Sequence, residues 1–310
     1  MSVRGSHTVA GIIIGAASLM ACQPADRAQE TDRAASEAHV VDVTARDYAF
    51  DVAAEIPSGW TTFRMKNEGN EHHFFLLSRL PEGKMFEDYV EEVAVAFETA
   101  WDSLRTGEMD KTEAGQLLGH LLPAWYASVK AMGGVGLVAA GAVAQTSLNL
   151  DPGTYVMECY VKTRDGTFHI SLGMARPFTV THEPSGASAP EADIDIALSN
   201  YEITIEGETT AGEHTVAVRF QEHPEVGLGN DVHLARLGDE VEVGEVALWM
   251  DWMELSGLLA PAPAEFLGGA QEMPIGHTAY FTVNLEPGRY VWITEASADK
   301  GMFKEFTVER

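Results

Sequence analysis

The chain has 310 residues, 45% of them hydrophobic and 22% charged, and its 47 acidic against 20 basic side chains give a formal net charge of −27. This is the balance of a soluble globular protein, long enough for two ordinary domains. A field so negative repels nucleic acid and anionic membrane, which excludes both as partners.

Arg4 precedes a short apolar run from Val9 to Leu19, and small residues follow it. Such a run reads as a secretory signal over residues 1–21 and not as a membrane span. Leu19-Met20-Ala21-Cys22 resembles a bacterial lipobox, which implies that Cys22 is acylated and becomes the first mature residue. A plain secretory signal is the alternative, and both imply export. The lipobox resemblance places the protein in the bacterial cell envelope, periplasmic or on the outer surface, touching membrane only through the lipid on Cys22. Residues 22–39 are rich in Ala, Glu, Asp and Arg, too polar to repay their ordering entropy, and read as a flexible tether.

From Val41 the chain alternates in strand fashion, with Pro57-Ser58-Gly59 as a turn signal. The same order returns later. Tyr48 and Gly59 recur as Tyr201 and Gly212, Leu77-Ser-Arg-Leu80 as Leu234-Ala-Arg-Leu237, and Asn149-Leu-Asp-Pro-Gly-Thr-Tyr-Val as Asn284-Leu-Glu-Pro-Gly-Arg-Tyr-Val. Gly173-Met174 before Phe-Thr-Val recurs as Gly301-Met302. A repeat this long is a duplicated domain, since each copy has strands enough for its own core. The reading is mainly β, two tandem β-sandwiches over residues 40–181 and 192–310, with 182–191 as linker.

A helical insert interrupts each copy. In the first, at about 83–132, apolar spacing predicts one helix from Met85 to Leu104 and another from about Thr112 through Met132, interrupted near Pro123. In the second, a shorter helix is expected around Glu242 to Leu259, carrying Trp249, Trp252 and Met253. Met and Trp at helical spacing are more often core than cofactor box.

The chemistry concentrates in Tyr155 to Met174, where Cys159, His169 and Met174 lie close together in the chain. With one further His these are the ligand types of a blue-copper site, two His and one Cys in a trigonal plane and a Met on the axis. The chain has two Cys, so if Cys22 carries lipid, Cys159 has no disulfide partner. It is then a buried inert thiol or a ligand. Strand parity projected from Val232 and Leu234 puts His73 on the buried face, which makes it the better distant imidazole, with His72 the alternative.

This pattern resembles the cupredoxin family: a His after an Asn/Gly turn, a Pro-Gly-Thr-Tyr strand leading into Cys159, then His169 and Met174 before the last strand. The resemblance implies two Greek-key sandwiches and one type 1-like copper in the first, held by His73, Cys159, His169 and Met174. It also implies an exposed edge on the imidazole of His169, where electrons would pass. The Cys159-to-His169 loop is longer than in small electron carriers, and the Arg164-Asp-Gly166 turn could fold it into a hairpin. Copper nitrite reductases, with a similarly long loop, place a His directly before the copper Cys for a second, catalytic copper. Here that residue is Glu158, so no such centre is expected. The second copy aligns Thr294 with Cys159, Ser297 with His169, and Gly229 and Asn230 with the His pair, and reads as metal-free.

Two functions follow. One is copper binding for one-electron transfer or copper holding, with a redox partner protein and no catalytic site of its own. The other is a copper-free cupredoxin-like interaction or scaffold module, its Cys buried and its His structural. A third reading, part of an envelope oxidoreductase system, lacks a visible substrate site.

Overall fold

The fold is known from a computed structural model, which describes residues 38–310 except 226 and 296. The secretory and lipidation readings, Cys22 included, lie outside these residues. Among the described residues no helix is long and apolar enough to cross a membrane.

Eight strands make the first half: β1 (Val40–Arg46), β2 (Ala49–Asp51), β3 (Glu55–Asn67), β4 (Leu76–Arg79), β5 (Lys130–Ala131), β6 (Val143–Leu150), β7 (Gly153–Glu158) and β8 (Ala175–Pro184). Eight more make the second: β9 (Ile194–Ser199), β10 (Glu202–Glu206), β11 (Gly212–Phe220), β12 (Val232–Leu237), β13 (Glu265–Ala270), β14 (Thr278–Leu285), β15 (Gly288–Ile293) and β16 (Phe303–Val308). Their pairings match. β1 runs parallel to β3 as β9 does to β11, and β3 pairs antiparallel with β6 as β11 does with β14. β4 lies between β5 and β7 as β12 lies between β13 and β15.

The long strand β3 spans both layers of the first half. Its start pairs with β8, while residues from Gly59 onward pair with β6. The layers meet through aromatic side chains: Phe63 of β3 lies 5.4 Å from Phe75 and 6.5 Å from Phe178 of β8. The alternation of β1, with Val41, Val43 and Ala45 inward, follows from one face being buried and the other wet.

The two halves form one compact unit. β14 pairs with β6, at Tyr280 with Ser147 and Phe281 with Thr146, so one sheet of 12 strands runs through both, and β13-β12-β15-β16 make a sheet of 4. Elsewhere backbone meets backbone: the Gly136 N–H donates to the Gly269 carbonyl at 3.1 Å. A Cβ on Gly136 would lie 2.8 Å from Gly269 Cα, so only glycine allows that approach. The linker-separated domains of the sequence reading are thus joined by a shared core and a shared sheet.

The first insert is one helical run. It opens at α1 (Phe86–Asp88), passes through a π-helical stretch (Tyr89–Ala94) and continues as α2 (Val95–Arg105). α3 (Lys111–Leu121) starts on a capping box, in which Asp110 accepts from the Glu113 N–H and Glu113 from the Asp110 N–H. The interruption expected near Pro123 is present, but the expected continuation to Met132 is corrected to a single 3-10 turn at Ala124–Ser128. Leu122 is extended because the ring of Pro123 disfavours helical backbone before it, and Lys130–Ala131 pair with β4 instead. In the second half α4 (Val243–Met250) stops before Trp252 and Met253, which lie in turns. Tyr89, Val93, Ala94 and Trp101 of the first insert pack on Val156, Phe168 and Ile170, covering the Cys159-to-His169 loop.

Candidate metal centre

Three chain segments meet at one point. His73 comes from the loop before β4, Cys159 directly follows β7, and His169 precedes the short turn Ile170–Leu172. The first loop is tied down by Asn67, whose amide donates to the Glu71 carbonyl at 2.8 Å and the Val138 carbonyl at 2.9 Å, and accepts from the Gly69 N–H. Gly69 leaves room that a side chain would take: a Cβ there would lie 2.2 Å from Asp47 Oδ1 and 2.7 Å from His73 Nε2.

The Cys-to-His loop folds back on itself. Lys162 and Phe168 bridge antiparallel, the Thr163 N–H donates to the Thr167 carbonyl at 2.9 Å, and Gly166 takes the turn at φ 85°. The His169 N–H then reaches the Val161 carbonyl at 2.8 Å, which returns the imidazole to the thiol. The tip is anchored to the insert and the second half. Trp101 Nε1–H donates to the Gly166 carbonyl at 2.7 Å, and Lys162 Nζ donates to the Trp252 carbonyl at 2.7 Å while lying 3.5 Å over the Trp101 ring. A buried ammonium is costly, and burial lowers Lys162 to about 7.

His73 Nδ1 lies 3.9 Å and His169 Nδ1 3.6 Å from Cys159 Sγ. The three donor atoms all fall within 4.8 Å of one another, and all three side chains are fully buried. Bonds of about 2.0–2.3 Å to N and S at 120° would set N and S roughly 3.8 Å apart, so the two N–S spacings suit donors to one ion. Each imidazole turns its other nitrogen to a carboxylate: His73 Nε2 to Asp47 Oδ1 at 2.7 Å, and His169 Nε2 to Glu71 Oε2 at 2.8 Å. These contacts put the proton on Nε2 and leave the Nδ1 lone pair facing the thiol.

Burial, and then the neighbouring His73, lowers His169 to about 3, and burial lowers His73 despite Asp47. Burial pushes the Cys159 thiol up to about 12. The cluster is therefore uncharged by itself, and ion binding would displace the thiol proton.

Met174 is buried and bound to the site through its backbone. Its N–H donates to the His169 carbonyl at 2.9 Å, and its carbonyl accepts from the Cys159 N–H at 3.1 Å. His72 turns the other way. Its ring packs 5.8 Å from Phe266 and 6.4 Å from Trp249, Nε2 has no partner, and burial lowers it to about 4.

The exposed edge implied for His169 is corrected. The side chain is 0% exposed, with Glu71 on Nε2 and Tyr48 at 4.8 Å between ring centroids. Asp47, Tyr48 and Glu71 were not singled out from the sequence as site residues. Their signal was there in part: Tyr48 anchors the repeat, and Glu71 stands two residues before His73.

At the matching place in the second half, the Thr294 N–H donates to the Met302 carbonyl at 3.3 Å and the Met302 N–H to the Ser297 carbonyl at 3.1 Å. The backbone frame is thus repeated and Met302 keeps the thioether, but Thr294 and Ser297 offer hydroxyls where the first half has the thiol and an imidazole. Asn230 and Ser297 are buried there, while His233 links the halves, accepting from the Leu137 N–H at 3.0 Å and meeting Asp231 at 2.7 Å.

Beside Cys159, burial pushes Glu158 up to about 7, opposed in part by the Tyr89 hydroxyl donating at 2.6 Å. Between about pH 4.5 and 7 the folded protein therefore keeps a proton that the unfolded chain has lost. Stability falls as pH rises through that window, by about 3 kcal/mol in all at roughly 1.4 kcal/mol per unit. Glu158→Gln is expected to flatten this slope. Denaturant titrations of both proteins at pH 5 and pH 8 check it, and an unchanged slope counts against the assignment.

No protein-family model matches the chain, and no curated protein matches it. Among solved structures, it is similar to a dithionite-reduced auracyanin from Roseiflexus castenholzii, at 20% identity and a TM-score of 0.28, over 46% of this chain and 98% of that one. Auracyanin A, a "blue" copper protein from Chloroflexus aurantiacus, matches at 19% identity and a TM-score of 0.28, over 46% and 98%. A multicopper oxidase matches at 13% identity and a TM-score of 0.23, over 87% of this chain and 88% of that one. With scores this low, the fold rests on the strand order above and not on these likenesses.

Proposed function

We propose that this cupredoxin-like protein binds one copper ion, which His73 Nδ1, Cys159 Sγ and His169 Nδ1 would hold, with the Met174 thioether as a further donor. The observation that supports it is the buried His-Cys-His group, its donor atoms within 4.8 Å of one another and both imidazoles oriented by carboxylates. Copper in such a set supplies a one-electron couple. The protein's residues hold the imidazole lone pairs inward, keep water from the thiol, and tie Cys159, His169 and Met174 into one hydrogen-bonded frame.

The cover on His169 bears on how electrons would move. Exchange with a redox partner would cross Tyr48 and Glu71 and not a bare imidazole edge, which favours copper holding or slow transfer over rapid relay. The matching strand pairings support reading the chain as a tandem duplication, and the oxygen donors of the second half support a metal-free copy. Export and lipid anchoring through Cys22 complete the proposal. The copper-free alternative has one observation in its favour: burial leaves the cluster uncharged without an ion.

Competition with a copper chelator tests the reading. One equivalent of copper should bind, and Asp47→Asn and Glu71→Gln should each weaken it by about 10–100-fold, the usual cost of losing a partner of a ligating His. Binding that ignores both substitutions would place the ion elsewhere.

A further inference from the structure

A second feature lies on the other side of Cys159. Glu158 and Tyr160, which flank it in the chain, both line a cleft between the first insert and the second half. Its walls are mostly apolar, with the rings of Phe97, Tyr126, Tyr160, Phe168 and Trp252 prominent. Among the described residues, four carboxylates line it, Glu158, Asp231, Glu272 and Glu295, and no Lys or Arg does.

Most of these acids are engaged. Glu158 accepts from the Tyr89 hydroxyl, Glu272 from the Gly229 N–H at 2.8 Å, and Asp231 from the Glu295 N–H at 2.7 Å. Two polar atoms are not. Glu295 is 5% exposed, and while its Oε2 accepts from the Tyr160 hydroxyl at 3.0 Å, its Oε1 has no partner among the described residues. Gln271 is 1% exposed, and its Nε2 has none either. Buried polar atoms left unpaired in an aromatic cleft are costly unless something else meets them.

We infer that this cleft binds a small organic ammonium ion with an apolar body of about one ring. The ammonium supplies donors for Glu295 Oε1 and takes the place of the proton that burial favours on this carboxyl, and the aromatic walls favour a cation over their faces. Gln271 adapts, since turning its amide by 180° presents oxygen in place of nitrogen. An anion has no basic side chain to meet here, and a neutral alcohol satisfies one acceptor without using the charge.

Benzylamine, benzyl alcohol and benzoate test this by calorimetry on the full chain at pH 7. Copper is left out, so the result is independent of the metal reading. Benzylammonium should bind about tenfold or more tighter than benzyl alcohol, with no benzoate binding. Glu295→Gln should remove that preference while leaving benzyl alcohol within about twofold, with unchanged near-ultraviolet circular dichroism as the check on folding. Equal affinity for amine and alcohol, benzoate binding, or no binding of any of the three would overturn the inference. The three-ligand comparison on the unaltered protein decides even if the variant misfolds.

Discussion

Cys159→Ser is expected to abolish the intense visible absorption of the copper-loaded protein and to weaken copper binding by about two orders of magnitude or more. The colour of a type 1 site comes from the copper–thiolate bond, and Cys159 is the free cysteine among the described residues. The hydroxyl is a harder donor and is hardly ionised at neutral pH, so it cannot take the thiolate's place. The fold should survive, because Ser differs by one atom and His169 Nδ1, 3.6 Å from the sulfur, can accept from the new hydroxyl. Circular dichroism separates the outcomes: lost colour with an intact fold supports the assignment, and retained colour sinks it.

His73→Ala should cost copper affinity on the same scale, whereas His72→Ala should leave it within about twofold. The two are neighbours in the chain and opposite in the structure. His73 faces Cys159 and is held by Asp47, so its loss removes a donor and leaves that carboxylate without its imidazole. His72 packs edge-on against Trp249 and Phe266, so its loss is one of packing, about 1–3 kcal/mol of stability. Copper titration beside denaturant unfolding reads both effects. A reversed pattern would exchange the two roles.

Much of this was legible in the sequence because strand parity and ligand spacing are local. Parity put His73 inward, and the Arg164-Asp-Gly166 turn foreshadowed the hairpin that rejoins Cys159 and His169. The cover on His169 was not legible, because Tyr48 sits in the β1–β2 turn and Glu71 in a separate loop, and only tertiary folding brings them to the ring. The join between the halves was hidden for a similar reason. β6 reads as an ordinary alternating strand, and nothing in its residues says that its free edge pairs with β14. The break near Pro123 was legible, but apolar spacing in residues 124–132 suggests a helix beyond it where the chain makes a 3-10 turn and then joins the edge of β4.

The most direct measurement is a titration of the full chain with Cu(II), followed by its visible spectrum. Absorption of the copper–thiolate type should grow to a break at one equivalent. A protein that stays colourless, or whose colour is the same after Cys159→Ser, would contradict the copper centre.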